Sequence, residues 1–397
     1  MSLFSQVELA PADPILGLTE KFNADTRPHK ANLGVGVYQD ETGRLPLLKC
    51  VEAAEQRLGQ RPKPRGYLPI DGLGSYTAEV KSLVFGANST LLAADRVVTI
   101  QALGGTGGLK VGADFLKRLS PAASVLISTP SWENHLALFT RAGFRVENYR
   151  YYDAERRGID FAGMLADLAD AAPGTIVVLH ACCHNPTGYD IDRAQWEQVI
   201  DVVADRGLVP FIDMAYQGFA EGLEPDAWVV RRFAERIDSF FVATSFSKSF
   251  GLYGERVGAL SIVCADAEQA RRVRSQVKIV IRTNYSNPPT HGAQLVATVL
   301  ADAELRATWE EELRGMRVRI QQVRDDLVQQ LQTLGVDDMG FIAEQRGMFS
   351  YSGLSKDQML RLREEFGVYG TDAGRICVAA VNPTNLEHVA KAIAAVR

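Results

Sequence analysis

Five short apolar runs in the middle of the chain, at residues 97–102, 124–128, 175–179, 208–212 and 240–243, limit the possible folds more than any other feature. Each has the length of a buried strand rather than of a helix. Most are followed by a turn signal and then a helix-like stretch. Residues 107–117 form one such stretch. Residues 193–205 form another, with Trp196, Val199, Ile200 and Val203 on one face. Strands that alternate with helices predict an α/β architecture, with a mainly parallel sheet covered on both sides.

The last third is patterned differently. Residues 301–334 are a long helical stretch rich in Arg, Glu and Gln, followed by strand candidates near 348–351 and 375–379 and a helix from about Leu386. This predicts a second, smaller α+β domain, which the irregular region before Val51 joins. A chain of 397 residues also exceeds what one hydrophobic core usually serves. The expected division is an N-terminal arm at 1–10, a large domain at 45–313, and a small domain built from 11–44 and 314–397.

Composition narrows the classes of function. Net charge is −5 and the arginines are scattered, so nothing favours nucleic acid or an anionic membrane as a partner. The start, Met1 to Gln6, has no basic segment followed by an apolar run, which argues against a secretory signal. No stretch of about 18 uncharged apolar residues would span a membrane. Five cysteines, Cys50, Cys182, Cys183, Cys264 and Cys377, form an odd and sparse set suited to free thiols in a reducing cytoplasm. Adjacent Cys182 and Cys183 lack metal-ligand spacing, no CxxC occurs, and no histidine trio is spaced for a metal, so none is expected.

In open α/β sheets ligands bind beyond the carboxyl ends of the strands. Gly104 to Gly108, with Thr106, follow the first run. Trp132 and His135 follow the second. His180 and Asn185-Pro186-Thr187-Gly188 follow the third. Asp213 and Tyr216 follow the fourth, and Ser245, Ser247 and Lys248 follow the fifth. Singly these signals are weak. The glycine turn lacks the Gly-Lys-Ser/Thr ending of a P-loop and is no clean GxGxxG. Asn-Pro-Thr-Gly is usually a turn, Trp132 alone would be core, and the histidines would be structural. Asp213 and Lys248 sit at buried strand ends, where an unpaired charge is costly. A structural ion pair and a functional nucleophile with its counter-charge weigh equally for them at this point.

The run Ser245-Phe246-Ser247-Lys248-Ser249-Phe250-Gly251-Leu252-Tyr253-Gly254-Glu255-Arg256-Val257-Gly258 resembles the lysine signature of the class I aminotransferases, which use pyridoxal phosphate, and in particular their aspartate/aromatic subgroup. Further motifs in the same order extend the resemblance over nearly the whole chain. They are Asp13 to Leu18, Asn32 to Tyr38, Cys182 to Gly188, Ile281 to Pro289 and Gly374 to Ala379.

The resemblance implies fold type I, a homodimer with shared active sites, and ping-pong amino transfer between amino acids and 2-oxo acids. Lys248 would carry the cofactor and shuttle a proton. Asp213 would pair with its ring nitrogen, Asn185 and Tyr216 would bond its phenolic oxygen, and Trp132 would stack on the ring. Gly105, Thr106, Ser245, Ser247 and Arg256 would hold its phosphate, with Tyr67 reaching in from the second subunit. Arg375 would clamp the substrate α-carboxylate beside Gly36, and Arg282 of the neighbour would meet a distal carboxylate. His135 and His180 would stand behind Asp213.

The subgroup contains aspartate-preferring and aromatic-preferring members. Tyr67-Leu68-Pro69, Trp132 to His135, Arg363 to Tyr369 and the stretch from Gly104 to Arg118 resemble the aromatic members. Ala10 to Pro14, Thr106 and Asn287 resemble the aspartate members. Leu45 adds apolar surface near the pocket mouth. The expectation is a broad enzyme that takes tyrosine, phenylalanine and aspartate as donors and 2-oxoglutarate as acceptor. A narrow dicarboxylate enzyme is the alternative. A lyase on the same cofactor, a nicotinamide oxidoreductase and a non-catalytic protein rank below it.

Overall fold

The computed structural model describes residues 2–10, 16–60, 62 and 64–397. Residues 13–15 of the N-terminal motif lie outside these, as do residues 11–14 of the stretch resembling aspartate-preferring members.

A seven-stranded sheet forms the centre. Its strands are β1 (Val97–Leu103), β2 (Ser124–Thr129), β3 (Arg145–Arg150), β4 (Ile176–His180), β5 (Val209–Met214), β6 (Phe240–Ser245) and β7 (Val257–Val263). The spatial order is β1-β7-β6-β5-β4-β2-β3. Neighbours from β6 to β3 pair in parallel, and β7 alone runs antiparallel between β1 and β6. The five expected strands are all present, within two residues of their predicted ends. Alternation sends Val177, Leu179, Ile212 and Val242 into one core. Their neighbours Ile176, Val178, Phe211 and Phe241 enter the other. Both faces of the sheet are therefore buried, which is why its strands read as continuous apolar runs.

Helices cover each face. Gly104–Leu119 starts directly at the end of β1, and Arg193–Asp205 begins at a capping box made by Asp192 and Gln195. A 31-residue helix, Ala303–Thr333, runs through the expected domain boundary near 314. Trp309 Nε1 on it donates to Ser249 O (2.7 Å), next to Lys248. Fifteen residues further along the helix, Arg324 donates to the carbonyls of Gly347 and Phe349. Beyond the helix, Phe349–Tyr351 pairs antiparallel with Arg375–Cys377. Ala31–Asn32 pairs in parallel with Val368–Tyr369, which ties the early chain to the C-terminal region.

Candidate active site

The carboxyl ends of β1, β2, β4, β5 and β6 face one cavity of about 410 Å³. Register fixes its floor: His180 of β4 pairs with Asp213 of β5, which pairs with Ala243 of β6. Asp213 is buried, and His135 Nε2 donates to its Oδ2 at 3.0 Å. Ser131 Oγ lies 2.9 Å from His135 Nδ1 and 3.5 Å from His180 Nε2. Burial alone raises the Asp213 pKa. The His135 hydrogen bond, with the Lys248 ammonium nearby, outweighs it, so Asp213 sits below the ordinary aspartate value and is anionic at neutral pH. Burial, with His135 alongside, takes His180 the other way, down to about 3.

Lys248 enters the cavity three residues after β6, with its Nζ 4.8 Å from the centroid of the Tyr216 ring. Removal from water is the main cause of its lowered pKa. Asp213 opposes the shift and Arg256 and Arg375 reinforce it, leaving a value of about 8. A substantial fraction of the amine is thus neutral and nucleophilic near physiological pH. Burial raises Tyr216 well above the ordinary phenol value, so its hydroxyl remains a donor.

Opposite the carboxylate is an anion cradle. Gly105 and Thr106 belong to the first turn of the helix after β1, whose free amides and dipole favour negative charge. Ser245 and Ser247 face it from the turn after β6, and Ser247 N donates to Ser245 Oγ (3.3 Å). Arg256, at φ +53°, donates to Ser247 Oγ (3.4 Å) and Tyr253 O (3.0 Å). No carboxylate pairs with it among the described residues.

Arg375 closes the far side. It is 1% exposed, lies 4.3 Å from the Phe349 ring centroid, and donates to Gly34 O (2.8 Å) and Asn185 Oδ1 (3.2 Å). Its Nε has no partner, and among the described residues no carboxylate reaches it. A buried cation left this way is costly unless an anion completes it. Gly36 lets this wall form, because a Cβ there would come within 2.5 Å of the Phe349 ring.

A profile of the family described as aminotransferase class I and II matches residues 28–393. The chain belongs to this family. An aspartate aminotransferase of Pseudomonas aeruginosa is 62% identical over 394 residues, covering 99% of each chain. An aromatic-amino-acid aminotransferase of Escherichia coli K12 is 49% identical over 396 residues, covering 99% of this chain and 100% of its own. Among solved structures, an aromatic-amino-acid aminotransferase from Burkholderia pseudomallei, covalently bound to pyridoxal phosphate, covers 100% of both chains with 62% identity and a TM-score of 0.97. The sheet and its surroundings are accordingly those of fold type I.

In this aminotransferase the cavity gathers Gly36, Gly105, Thr106, Trp132, Asn185, Asp213, Tyr216, Ser245, Ser247, Lys248, Arg256 and Arg375. Tyr67 and Arg282 are elsewhere. Tyr67 is 96% exposed, Arg282 is exposed at the end of the helix Ala267–Asn284, and both line a separate surface concavity. Sequence reading did not single out Ser131, Tyr253 or Phe349. Ser131 bridges two histidines, Tyr253 accepts from Tyr38 N (3.0 Å), and Phe349 backs Arg375. Ser131 directly precedes Trp132 and Tyr253 lies within the lysine signature, but no local pattern marked Phe349 beyond a strand. No helix among the described residues is long and apolar enough to cross a membrane.

Proposed function

We propose that this chain transfers amino groups from tyrosine, phenylalanine and aspartate to 2-oxoglutarate, with pyridoxal phosphate as cofactor, in two half-reactions of ping-pong type. The observation that carries the reading is the meeting of Lys248, Asp213 and the uncompensated Arg375 in one cavity. The donor set fits the cofactor. A cradle of helix amides, hydroxyls and Arg256 suits its phosphate, anionic Asp213 suits its ring nitrogen, and Trp132 offers an aromatic face.

When bound, pyridoxal phosphate supplies an electron-accepting ring that makes the α-proton of an amino acid removable. Lys248 Nζ would hold the cofactor as a nucleophile and, when free, would serve as the general base for the α-proton. Asp213, held anionic with the help of His135, would face the cofactor's ring nitrogen and favour its protonated form. Asn185 and Tyr216 would donate to the cofactor's phenolic oxygen. Arg375 fixes the α-carboxylate with its planar fork.

Tyr67 and Arg282 act, in this reading, in the cavity of a second copy, so the working unit is a homodimer. Their shared exposed concavity supports that role. The expected three-part domain division goes with it, the early chain joining the small domain through the Ala31–Asn32 pairing. Five buried, unpaired cysteines favour the reducing cytoplasm. Apolar lining from Val35, Val37, Leu109 and Phe349 favours aromatic donors beside aspartate.

The test is the visible absorption of the reconstituted protein after a single amino acid is added without any oxo acid. Loss of the bound-cofactor band with both aspartate and phenylalanine supports the broad reading. Loss with aspartate alone leaves the narrow dicarboxylate enzyme. No change with either, or release of ammonia or carbon dioxide, sinks transamination.

A further inference from the structure

The turn that carries Asn185 is held by a group outside the cavity. Cys183 sits at φ +51°, a left-handed conformation that side chains with a Cβ seldom adopt. The Cys183 and His184 amides point the same way and form a two-amide nest, the kind of concavity that captures anions. Here the anion comes from the chain itself: Asp190 Oδ2 accepts from Cys183 N (2.7 Å) and Oδ1 from His184 N (2.9 Å). His184, locked between Ser128 Oγ (2.9 Å) and Thr187 Oγ1 (2.8 Å), stacks on Tyr151 at 4.0 Å. The next residue is Asn185, whose Oδ1 meets Arg375.

We propose that Asp190 is a positioning residue for Asn185: its carboxylate fixes the strained Cys183–His184 amides and so sets the angle at which the Asn185 amide enters the cavity. The proposal rests on the transaminase reading and adds to it a residue that touches neither substrate nor cofactor. The carboxylate accepts from both amides with full negative charge, whereas an Asn side chain turns an N–H₂ donor towards the nest and a protonated acid loses the charge and adds a competing O–H.

The titratable and charged groups facing Asp190 are Cys182, Cys183, His184, Tyr151, Asp226 and Arg346. Burial raises its pKa to about 6, helped by Asp226 and opposed by the two amides and Arg346. The carboxylate grip is therefore half formed near pH 6, strengthens above it and is lost as pH falls below it. Because the folded value lies above the ordinary one, the folded state binds that proton more tightly than the unfolded chain does. The activity loss on this limb is expected without unfolding.

The experiment is a cycle of Asp190→Asn and Asn185→Ala on the reconstituted full chain, read as kcat/KM for aspartate. D190N is expected to cost about tenfold in the native background, the worth of one well-placed hydrogen bond, and no more than about twofold in N185A. Equal losses in both backgrounds would show that Asp190 does not act through Asn185 and overturn the proposal. If D190N does not fold, the pH profiles decide. An acid limb near pH 6 in the native enzyme that flattens in N185A supports the proposal, and an unchanged limb overturns it. Amide exchange at Cys183 and His184 in the cofactor-free chain, expected to speed up in D190N, tests the grip by itself. If the native enzyme transaminates nothing while D190N still speeds that exchange, the functional reading fails and the nest stands.

Discussion

Arg375 and Arg282 carry the same charge in opposite surroundings. Arg375 is sealed among Phe349, Gly34 and Asn185, with no partner for its Nε and no counter-charge among the described residues. Arg282 stands exposed beside Tyr67 on an open concavity, its guanidinium bonded to Ser286 Oγ. One region is assembled by this chain's own folding. The other is a surface whose proposed role needs a second copy. The pre-built region should govern whether any amino acid reacts, and the surface region should govern which one.

Lys248→Ala is the severest test of the pre-built region. It removes the proposed nucleophile and base together, so kcat is expected to fall by at least about 10⁴-fold for every donor. Activity within tenfold of native would dissolve the distinction. Arg375→Ala comes next. Losing a buried bidentate clamp costs about 3 kcal/mol, so kcat/KM should drop roughly 100-fold, equally for aspartate and phenylalanine. A loss confined to aspartate would mean that the two arginines have been assigned the wrong way round.

Arg282→Ala sharpens the other side. Its effect should be about 10- to 100-fold on aspartate and small on phenylalanine, as befits one charge-assisted contact. Unfolded and refolded together, K248A and R282A chains should regain aspartate turnover, because a mixed dimer then has one intact site. No recovery would place Arg282 outside the partner's cavity. The smallest effect is one of pH. Cofactor attachment to the apoprotein needs the neutral Lys248 amine, so its rate should rise with pH and level off above about 8. A rate still rising steeply at pH 10 would mean that the amine is not withdrawn from water.

The sequence and the structure part company at identifiable places. Buried central strands were legible because both faces are apolar. β3, Arg145-Val146-Glu147-Asn148-Tyr149-Arg150, was not, since an edge strand can keep polar residues along its open side. β7 is buried throughout, yet Gly258 breaks its pattern. A Cβ there would fall 2.3 Å from the Gly104 carbonyl carbon, so close approach to the helix start overrides strand propensity. At the site, residue types following each strand pointed to Asp213 and Lys248, but left an ion pair and a functional couple undecided. Their titration shifts come from burial, modulated by His135, Arg256 and Arg375, which lie 113, 8 and 127 residues from Lys248 in the chain. Asp190 had no local signature, because its importance lies in two amides it meets only after the turn has formed.

The helix Ala303–Thr333 acts on these regions as a rod. It is fastened beside Lys248 through Trp309 and beside Phe349 through Arg324. At 1.5 Å per residue these fastenings are roughly 22 Å apart, so a 5° tilt about the first carries the second through about 2 Å. That is more than the width of a methyl step in substrate size. Leverage of this kind would let one rigid catalytic floor serve side chains as unlike as a carboxylate and a phenyl ring.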